Sequence, residues 1–516
     1  MTESFFVFRS VSGTVPQYEF RGGTKCYSQM SSLNVQEKLE YVHDCADVTL
    51  SNCKNSGKNL KRAQEFLLKA NKSKDIERMK NLNIALIHIP IDNKELFCDI
   101  EKKRDEVVER LKLSCYSQKC LKDRNISKKI KVVYKEGVGR HVIATEDIDI
   151  GEEIVSEDPG VSFLHHSHRH TNCHHCHVSV TRAVPCDTCN EVMFCSDTCR
   201  HAARKYHDRE CGHAEIIPGV GTLAPVLRIV TSKSAEFFVK RKDYFDRYDK
   251  TSDDCNDEFE ALFRLQAGCK TDSQYTMNKA AYSTYLLCLL KRMEFFANND
   301  PSVFEEEHLV VGRFLEHFLR VADDNCHEIC ELVKPRVTRD KSFDELFDGN
   351  DSAVSVVGVG IFPTISLFNN CCDVNTLKFH QGHTETMLAR RPIRAGEEVS
   401  DFYGEYYFQN RKLTRKKNLG FSCGCVACHK NWPLLDNLPG FNVEDVEDRY
   451  EWAVQVILEI FQFCFNGQIT YLQRVALESA LSHLDVKMIR EICLQLAKLV
   501  NVKPPHQVDV NYVYVY

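Results

Sequence analysis

No segment of this chain approaches the ~18 consecutive apolar residues of a membrane-crossing helix, so no membrane span is expected. Nor is there a basic excess. Lys and Arg number 67 against 73 Asp and Glu, for a formal net charge of -6. That balance gives no general attraction for polyanions, and direct sequence-specific nucleic-acid binding is not expected. The first residues, Met1-Thr-Glu-Ser-Phe-Phe-Val-Phe-Arg9, carry an early acid and no apolar h-region, which reads as no signal peptide. What remains has ordinary proportions, 43% hydrophobic and 27% charged residues over 516 positions. A chain of that size is expected to hold roughly three to five structural units.

Cysteine is abundant, at 25 residues. With no secretory signal, this usage points to thiolates and metal, and to a reducing compartment: cytoplasm, nucleus or both. The densest stretch reads C-x2-C-x9-C-x2-C-x5-C-x3-C-x7-H-x3-C. Its members pair as Cys173/Cys176, Cys186/Cys189, Cys195/Cys199 and His207/Cys211. Eight soft ligands make two tetrahedral zinc sites with none left over. A segment this rich in ligands folds around metal. Seven further histidines, His165, His166, His168, His170, His174, His175 and His177, read as solvated surface rather than ligands. A third site is indicated by Cys423, Cys425 and Cys428 in C-x-C-x2-C spacing. Three thiolates leave a structural site incomplete, and Cys372 is the candidate fourth.

The texture of the chain alternates. Residues 34–121 read as helices, with a stop-start around His88-Ile-Pro-Ile-Asp-Asn93 that suggests a helix-turn-helix repeat. Short β-prone runs with intervening glycines begin at Ile130 and recur at His141–Thr145 and Glu153–Glu157. The cysteine cluster interrupts them. Helical texture returns from Ile217 to about Val333, and Asp348-Gly-Asn-Asp-Ser352 reads as a turn or linker. Strand texture resumes at Ala353 and runs through Tyr403. After Trp432 the chain is expected to be helical again, notably over Trp452–Phe465 and Val486–Leu499.

These motifs together resemble the SET and MYND domain family of lysine methyltransferases. Cys173–Cys211 matches the MYND finger at every ligand. By that resemblance Cys173, Cys176, Cys195 and Cys199 hold one zinc, and Cys186, Cys189, His207 and Cys211 hold the other. Gly137-Val-Gly-Arg-His-Val-Ile-Ala-Thr145 resembles the first SET signature, and Gly360–Asn375 resembles the segment ending N-H-S-C-x-P-N. Gly396-Glu-Glu-Val-Ser-Asp-Phe-Tyr403 resembles the segment with the catalytic tyrosine, and Cys423–Cys428 the post-SET zinc trio, with Cys372 in the fourth-ligand position. The match covers roughly residues 130 to 430. The implied fold is α+β. A SET β-fold is split by a MYND finger and a helical insert, between helical N- and C-terminal regions. The implied boundaries are 1–125 for a tetratricopeptide-like helical region, 126–164 for the first SET part and 165–215 for the finger. The insert takes 216–345, the SET core 346–415, the post-SET zinc segment 416–432 and a helical C-terminal region 433–516.

The resemblance further implies transfer of a methyl group from S-adenosylmethionine to a protein lysine, with three zinc ions bound. Tyr403 is the implied catalytic residue. Val138, Gly139, Arg140, Asn369 and Asn370 are the implied cofactor contacts, and Phe362 and Phe402 the walls of a substrate tunnel. The finger is implied to dock co-repressor partners, including histone deacetylase complexes, on a monomeric chain. Several positions depart from the family pattern. Asn370 stands for the histidine and Cys371 for the serine of N-H-S-C, Val374 for the proline, His141 for a glycine, and Leu419 for an aromatic before the zinc trio. These departures imply weaker cofactor binding, and in the extreme a scaffold that has lost catalysis and recruits partners through its finger. The segment Phe441–Tyr516 is short for the repeat domain that family members carry there, which implies a more open substrate cleft.

Overall fold

The computed structural model describes residues 58–90, 93–110, 125–149, 151–218, 221–247, 257–268, 273–301, 303–332, 354–407, 410–432 and 434. It also describes a pair of two-residue strands, β1 (Phe6–Val7) and β2 (Glu19–Phe20). The expected helices over Trp452–Phe465 and Val486–Leu499, the Phe441–Tyr516 region and the Asp348–Ser352 turn lie outside the described residues.

The N-terminal helices are α1 (Leu60–Lys72), α2 (Asp75–His88) and α3 (Lys94–Arg110). Asn59 starts α1 by accepting the N–H groups of Lys61 and Arg62, satisfying donors that an open helix end leaves bare. Pro90 separates α2 from α3, as the stop-start pattern suggests. The three pack around Ala63, Ala70, Leu82, Leu86, Ile100 and Val107.

Strands β3 (Asn125–Ile126), β4 (Ile130–Lys135), β5 (Gly139–Ala144), β6 (Glu153–Glu157) and β7 (Val161–Leu164) precede the cysteine cluster. Inside the cluster lie the hairpin β8 (Val184–Pro185) and β9 (Met193–Phe194) and helix α4 (Asp197–Glu210). The insert carries α5 (Leu223–Thr231), α6 (Ala235–Val239), α7 (Tyr244–Arg247), α8 (Glu258–Phe263), α9 (Ser273–Arg292) and α10 (Glu306–Asn325). Then come β10 (Cys326–Leu332), β11 (Val354–Ile361), β12 (Thr376–Gln381), β13 (Thr384–Ala389) and β14 (Glu398–Val399). The short helices α11 (Lys412–Leu419) and α12 (Val426–His429) follow. No helix among the described residues is long and apolar enough to cross a membrane.

The two strand-rich stretches build three antiparallel sheets, ordered β14-β5-β4, β12-β13-β6-β3 and β10-β11-β7. Each mixes strands from before and after the finger, so neither stretch makes the fold alone. Their inner faces share one core, including Val142, Ile154, Val155, Leu164, Ile329, Val357, Phe368, Met387 and Val399. The insert is expected to stay helical to Val333, but Cys326–Leu332 is strand β10. Asn325 ends α10, its amide donating to Val321 O at 2.7 Å and Gln266 O at 2.8 Å. The chain then pairs with β11, Cys326 opposite Ile361, and buries Ile329 completely. Helical propensity here yields to tertiary pairing.

The insert's core is aromatic: Phe238 meets Phe314 at 5.1 Å and Phe259 meets Phe318 at 5.5 Å. Where the insert, the finger and the strands before the finger meet sits Arg228 of α5, only 3% exposed. It donates to both oxygens of Glu210 (3.1 and 2.6 Å), to Ser162 O (2.8 Å) and to His174 Nε2 (3.0 Å). Its guanidinium lies over the rings of Tyr206 and Phe163, at 4.0 and 4.8 Å. Burial alone would raise the Glu210 carboxyl, but the Arg228 charge outweighs it and holds the group ionised. The expectation that the seven histidines are solvated is overturned. None is exposed, and His174 and His177 are buried. They fill the seam between the finger and the sheets, where a surface cluster becomes an interface.

The finger is gripped from two other sides. On one, Gly382 in the β12–β13 turn has φ +63, and a Cβ there would stand 2.3 Å from Cys176 O. The His383 N–H donates to that same carbonyl at 2.8 Å. On the other, the Asn83 amide of α2 donates to Thr181 O (3.2 Å) and accepts from the Ala183 N–H (3.3 Å). Arg104 of α3 donates to Ala183 O at 3.2 Å. Ile84 and Ile87 of α2 join the finger's apolar core.

Arg228→Met is expected to destabilise the zinc-loaded chain by ~3–5 kcal/mol, because it strands the buried Glu210 carboxylate. Replacing Glu210 with Met as well should recover most of that loss. A double-mutant cycle by urea unfolding checks this; additive losses would show that the two side chains do not act as a pair.

Candidate active site and metal centres

The finger's ligands come from knuckles and one helix. β8 leads into Cys186 and β9 into Cys195. Ser196 caps α4 by accepting the Cys199 N–H at 3.2 Å, which sets Cys199 in the first turn beside Cys195. His207 and Cys211 lie one turn apart at the other end. Ligand atoms of Cys173, Cys176, Cys195 and Cys199 all lie within 4.8 Å of one another, as do those of Cys186, Cys189, His207 and Cys211. In the first set Cys176 and Cys195 sulfurs are 3.6 Å apart, and Cys195 and Cys199 3.5 Å. In the second, His207 Nε2 is 3.3 Å from Cys186 and 3.6 Å from Cys189. A zinc tetrahedron with bonds of ~2.3 Å has edges of about 3.7 Å, so both donor sets fit the ion.

A third set, Cys372, Cys423, Cys425 and Cys428, meets the same 4.8 Å criterion, with 3.6 Å between Cys372 and Cys428. Four thiolates around Zn2+ leave a net charge of about -2. Arg415 of α11, only 2% exposed, answers it by donating to Cys428 Sγ at 3.2 Å. The same guanidinium also binds the carbonyls of Tyr407 and Asn410. The Asn370 amide donates to Cys423 Sγ at 3.4 Å, and its Oδ1 accepts the Tyr403 N–H at 3.0 Å. One side chain therefore links the third centre to Tyr403.

Tyr403 sits where two segments cross. The Asp401 N–H donates to Asn369 O at 2.8 Å, and the Cys371 N–H to Asp401 O at 2.9 Å. The Tyr403 hydroxyl turns inward and donates to Phe368 O at 2.9 Å. Tyr403 is 42% exposed overall, but its hydroxyl end is enclosed, and that enclosure together with the Asp401 carboxylate pushes its pKa upward. Phe402 stacks on Tyr406 at 4.0 Å. Asn369 reaches Glu398 of β14 at 3.3 Å, and β14 pairs with β5, which begins at Gly139. Gly137 and Gly139 turn the β4–β5 hairpin with φ of +78 and +89, and a Cβ at either would meet nothing within 4 Å. This open hairpin exposes Val138. Arg140 is directed to Arg264 O of the insert.

The structure thus joins Tyr403, Phe402, Asn369 and Asn370 at one crossing and reaches Gly139 through β14 and β5. Phe362, expected as a tunnel wall, is fully buried in the sheet core, with His327 and His380 at 5.5 and 6.3 Å. The Asn370 amide is thus engaged at both ends, by Cys423 Sγ and by the Tyr403 N–H. A cluster behind Tyr403 was not anticipated from the sequence. Lys378 Nζ lies 2.8 Å from Asp401 and 3.5 Å from Glu385, and Glu385 faces His327 and His380 at 3.4 Å each. Burial alone would raise the Glu385 carboxyl, but His327 and Lys378 hold it well below the usual carboxylate range. Asp401 Oδ1 in turn accepts the Phe402 N–H at 2.6 Å. The alternation in Thr376-Leu-Lys-Phe-His-Gln381 puts Lys378 and His380 on one face, which was the available signal.

Residues 173–211 match the family model described as the MYND finger. The chain is 24% identical over 331 residues to the protein-lysine N-methyltransferase SMYD4 of Gallus gallus, covering 52% of this chain and 44% of that protein. For its counterpart in Mus musculus the figures are 24% over 365 residues, 56% and 45%. A SET and MYND domain-containing protein of Dictyostelium discoideum is 22% identical over 329 residues, covering 59% of this chain and 82% of that protein. The matched part spans less than half the length of these SMYD4 relatives.

Metal analysis of the purified chain should find three zinc ions, one per cluster. Arg415→Met leaves the third centre's charge without its buried cation, and should weaken that site by about 10- to 100-fold. Under graded chelator the variant should fall to two zinc ions at concentrations that leave the unaltered chain at three. Equal retention would show that Arg415 serves packing alone.

Proposed function

We propose that this chain, a member of the SET and MYND domain family, transfers a methyl group from S-adenosylmethionine to a lysine side chain of a protein. The observation that carries this reading is the crossing at Tyr403. An inward hydroxyl, Asn369 and an aromatic pair at Phe402 and Tyr406 meet there, and Asn369 bonds Glu398 of β14, which pairs with β5, the strand that follows the open Gly137–Gly139 hairpin.

When bound, the cofactor supplies a methyl on a positively charged sulfur, which an amine can displace in line. The protein's part is positioning. Val138 and Gly139 offer backbone without a side-chain barrier. Asn369 lies on the same side through Glu398. The aromatic faces of Phe402 and Tyr406 desolvate an incoming ammonium, which lowers its pKa and frees the lone pair that attacks. Tyr403, protonated and held by Phe368 O, presents its ring and hydroxyl to the reacting carbon and amine. Asp401, pinned by Lys378, holds the Phe402 N–H and so sets the aromatic pair.

Histone and non-histone proteins are both within the proposed substrate class. We further propose that the finger docks co-repressor partners, including histone deacetylase complexes, on a monomeric chain working in cytoplasm and nucleus. The number of ligand thiols supports the compartment, since they stay reduced there. The face of the finger covered by Asn83 and Arg104 is taken, so docking falls to its remaining surface.

One observation favours a second reading, a scaffold without transfer activity. The Asn370 side chain is spent on Tyr403 and Cys423, and Leu419 provides no aromatic wall. Calorimetric titration of the zinc-loaded chain with S-adenosylmethionine separates the two. The enzyme reading expects saturable binding; none at millimolar cofactor would decide for the scaffold. Given binding, Tyr403→Phe should lower kcat by about 100-fold with cofactor affinity little changed, if its hydroxyl acts in the transition state.

A further inference from the structure

Glu157 ends β6 and is only 2% exposed. Its carboxylate binds the backbone 207 residues further along the chain. Both oxygens accept the Thr364 N–H, at 3.1 and 3.0 Å. Oε1 also accepts the Thr364 hydroxyl at 2.8 Å, and Oε2 accepts the Ile365 N–H at 3.1 Å. These donors open a single 3-10 turn, Ile365–Leu367, which leads into the crossing. The first N–H groups of such a turn have no partner within it, and burial makes an orphaned donor costly. An ionised carboxyl suits the place because it offers acceptors alone.

The turn carries this hold forward. The Ser366 N–H donates to Phe362 O at 2.9 Å, the Leu367 N–H to Thr364 O at 3.0 Å and the Phe368 N–H to Ile365 O at 3.1 Å. Next come Phe368 O, which accepts the Tyr403 hydroxyl, and Asn369 O, which accepts the Asp401 N–H. Across the β6–β13 ladder Glu157 stands opposite Glu385. Glu385 faces Lys378, and Lys378 binds Asp401. Each segment of the crossing is therefore held from behind by one of two paired positions, the Phe368–Asn369 segment by Glu157 and the Asp401–Tyr403 segment by Glu385 through Lys378.

We propose that Glu157 is a positioning residue for Tyr403. It fixes the start of the turn, and the turn sets where Phe368 O holds the tyrosine hydroxyl. Its effect on rate rests on the proposed methyl transfer; its hold on Tyr403 does not. Glu157→Gln places an amide NH2 where an oxygen now accepts. Donor then faces donor, and the turn must move to relieve it.

The test labels the full zinc-loaded chain with 3-fluorotyrosine and follows Tyr403 by 19F NMR, its resonance identified by its loss in Tyr403→Phe. Glu157→Gln should still load three zinc ions, one per cluster, and should displace that resonance. Thr364→Val removes one of the four bonds and should displace it the same way by less. Ser156→Ala is the control. It deletes a buried hydroxyl contact, 3.0 Å from Thr386, one residue away on the same strand, and should leave the resonance in place. An unmoved resonance in a folded, three-zinc Glu157→Gln chain would overturn the proposal, as would an equal displacement by Ser156→Ala. Should Glu157→Gln not fold, Thr364→Val decides by the same reading. In turnover, Glu157→Gln should lower kcat about tenfold with KM for the protein substrate little changed. An unchanged kcat would also overturn the positioning role. If the unaltered chain takes up no S-adenosylmethionine, methyl transfer fails while the fluorine result stands, and the reverse holds.

Discussion

A single buried cation decides how the modules of this chain sit together. Arg228 comes from the insert, Glu210, His174 and Tyr206 from the finger, and Ser162 and Phe163 from β7. Moving a guanidinium and a carboxylate out of water is costly, and the cost is met only when every donor finds a partner. That requirement admits one arrangement of the three modules. Hydrophobic contact alone would tolerate sliding. The close approach of Gly382 to Cys176 O and the filling of the seam by His175, His177 and His383 follow from the orientation so imposed.

The second constraint is smaller in scale but nearer the chemistry. The segments around Asn369 and Asp401 cross, and their backbone groups bind each other directly. At the crossing, an amide replaces the imidazole of the family pattern. Asn370 can donate and accept at once, so it joins Cys423 to Tyr403 with one side chain. The metal cluster therefore acts on the position of the tyrosine through a hydrogen bond to one of its sulfurs. Arg415 performs the complementary task on the opposite sulfur, lowering the electron-rich charge of the cluster from the α11 side.

Much of this could be read before any coordinates. Cysteine spacing marks two finger sites because close pairs leave few ways to build a tetrahedron, and the three groupings expected from the family resemblance are those that come together. Strand texture on both sides of the finger anticipates a sheet system made from distant halves. Three features were not readable. Strand β10 resembles the end of a helix locally, and only its pairing with β11 reveals it. The histidines look polar in sequence, but two modules closing on each other bury them. The Lys378–Asp401–Glu385 cluster is a matter of which face of a strand turns inward, and register across distant strands decides that.

The division of the sheet system by the finger and the insert also bears on the order of events as the chain is made. Strand β6 leaves the ribosome long before its neighbour β13; Ser156 and Thr386, whose hydroxyls meet at 3.0 Å, are 230 residues apart in sequence. Closing so long a loop directly carries a large entropic barrier and slows folding. The finger and the insert shorten it. The insert's core takes in Val161 and Phe163 of β7 and Val359 and Ile361 of β11, so its packing brings those two strands side by side. Until then the early strands and the Ile84–Ile87 face of α2 have no partner. Zinc supply during synthesis thus governs how long this chain exposes sticky surface, and hence how much it depends on chaperones.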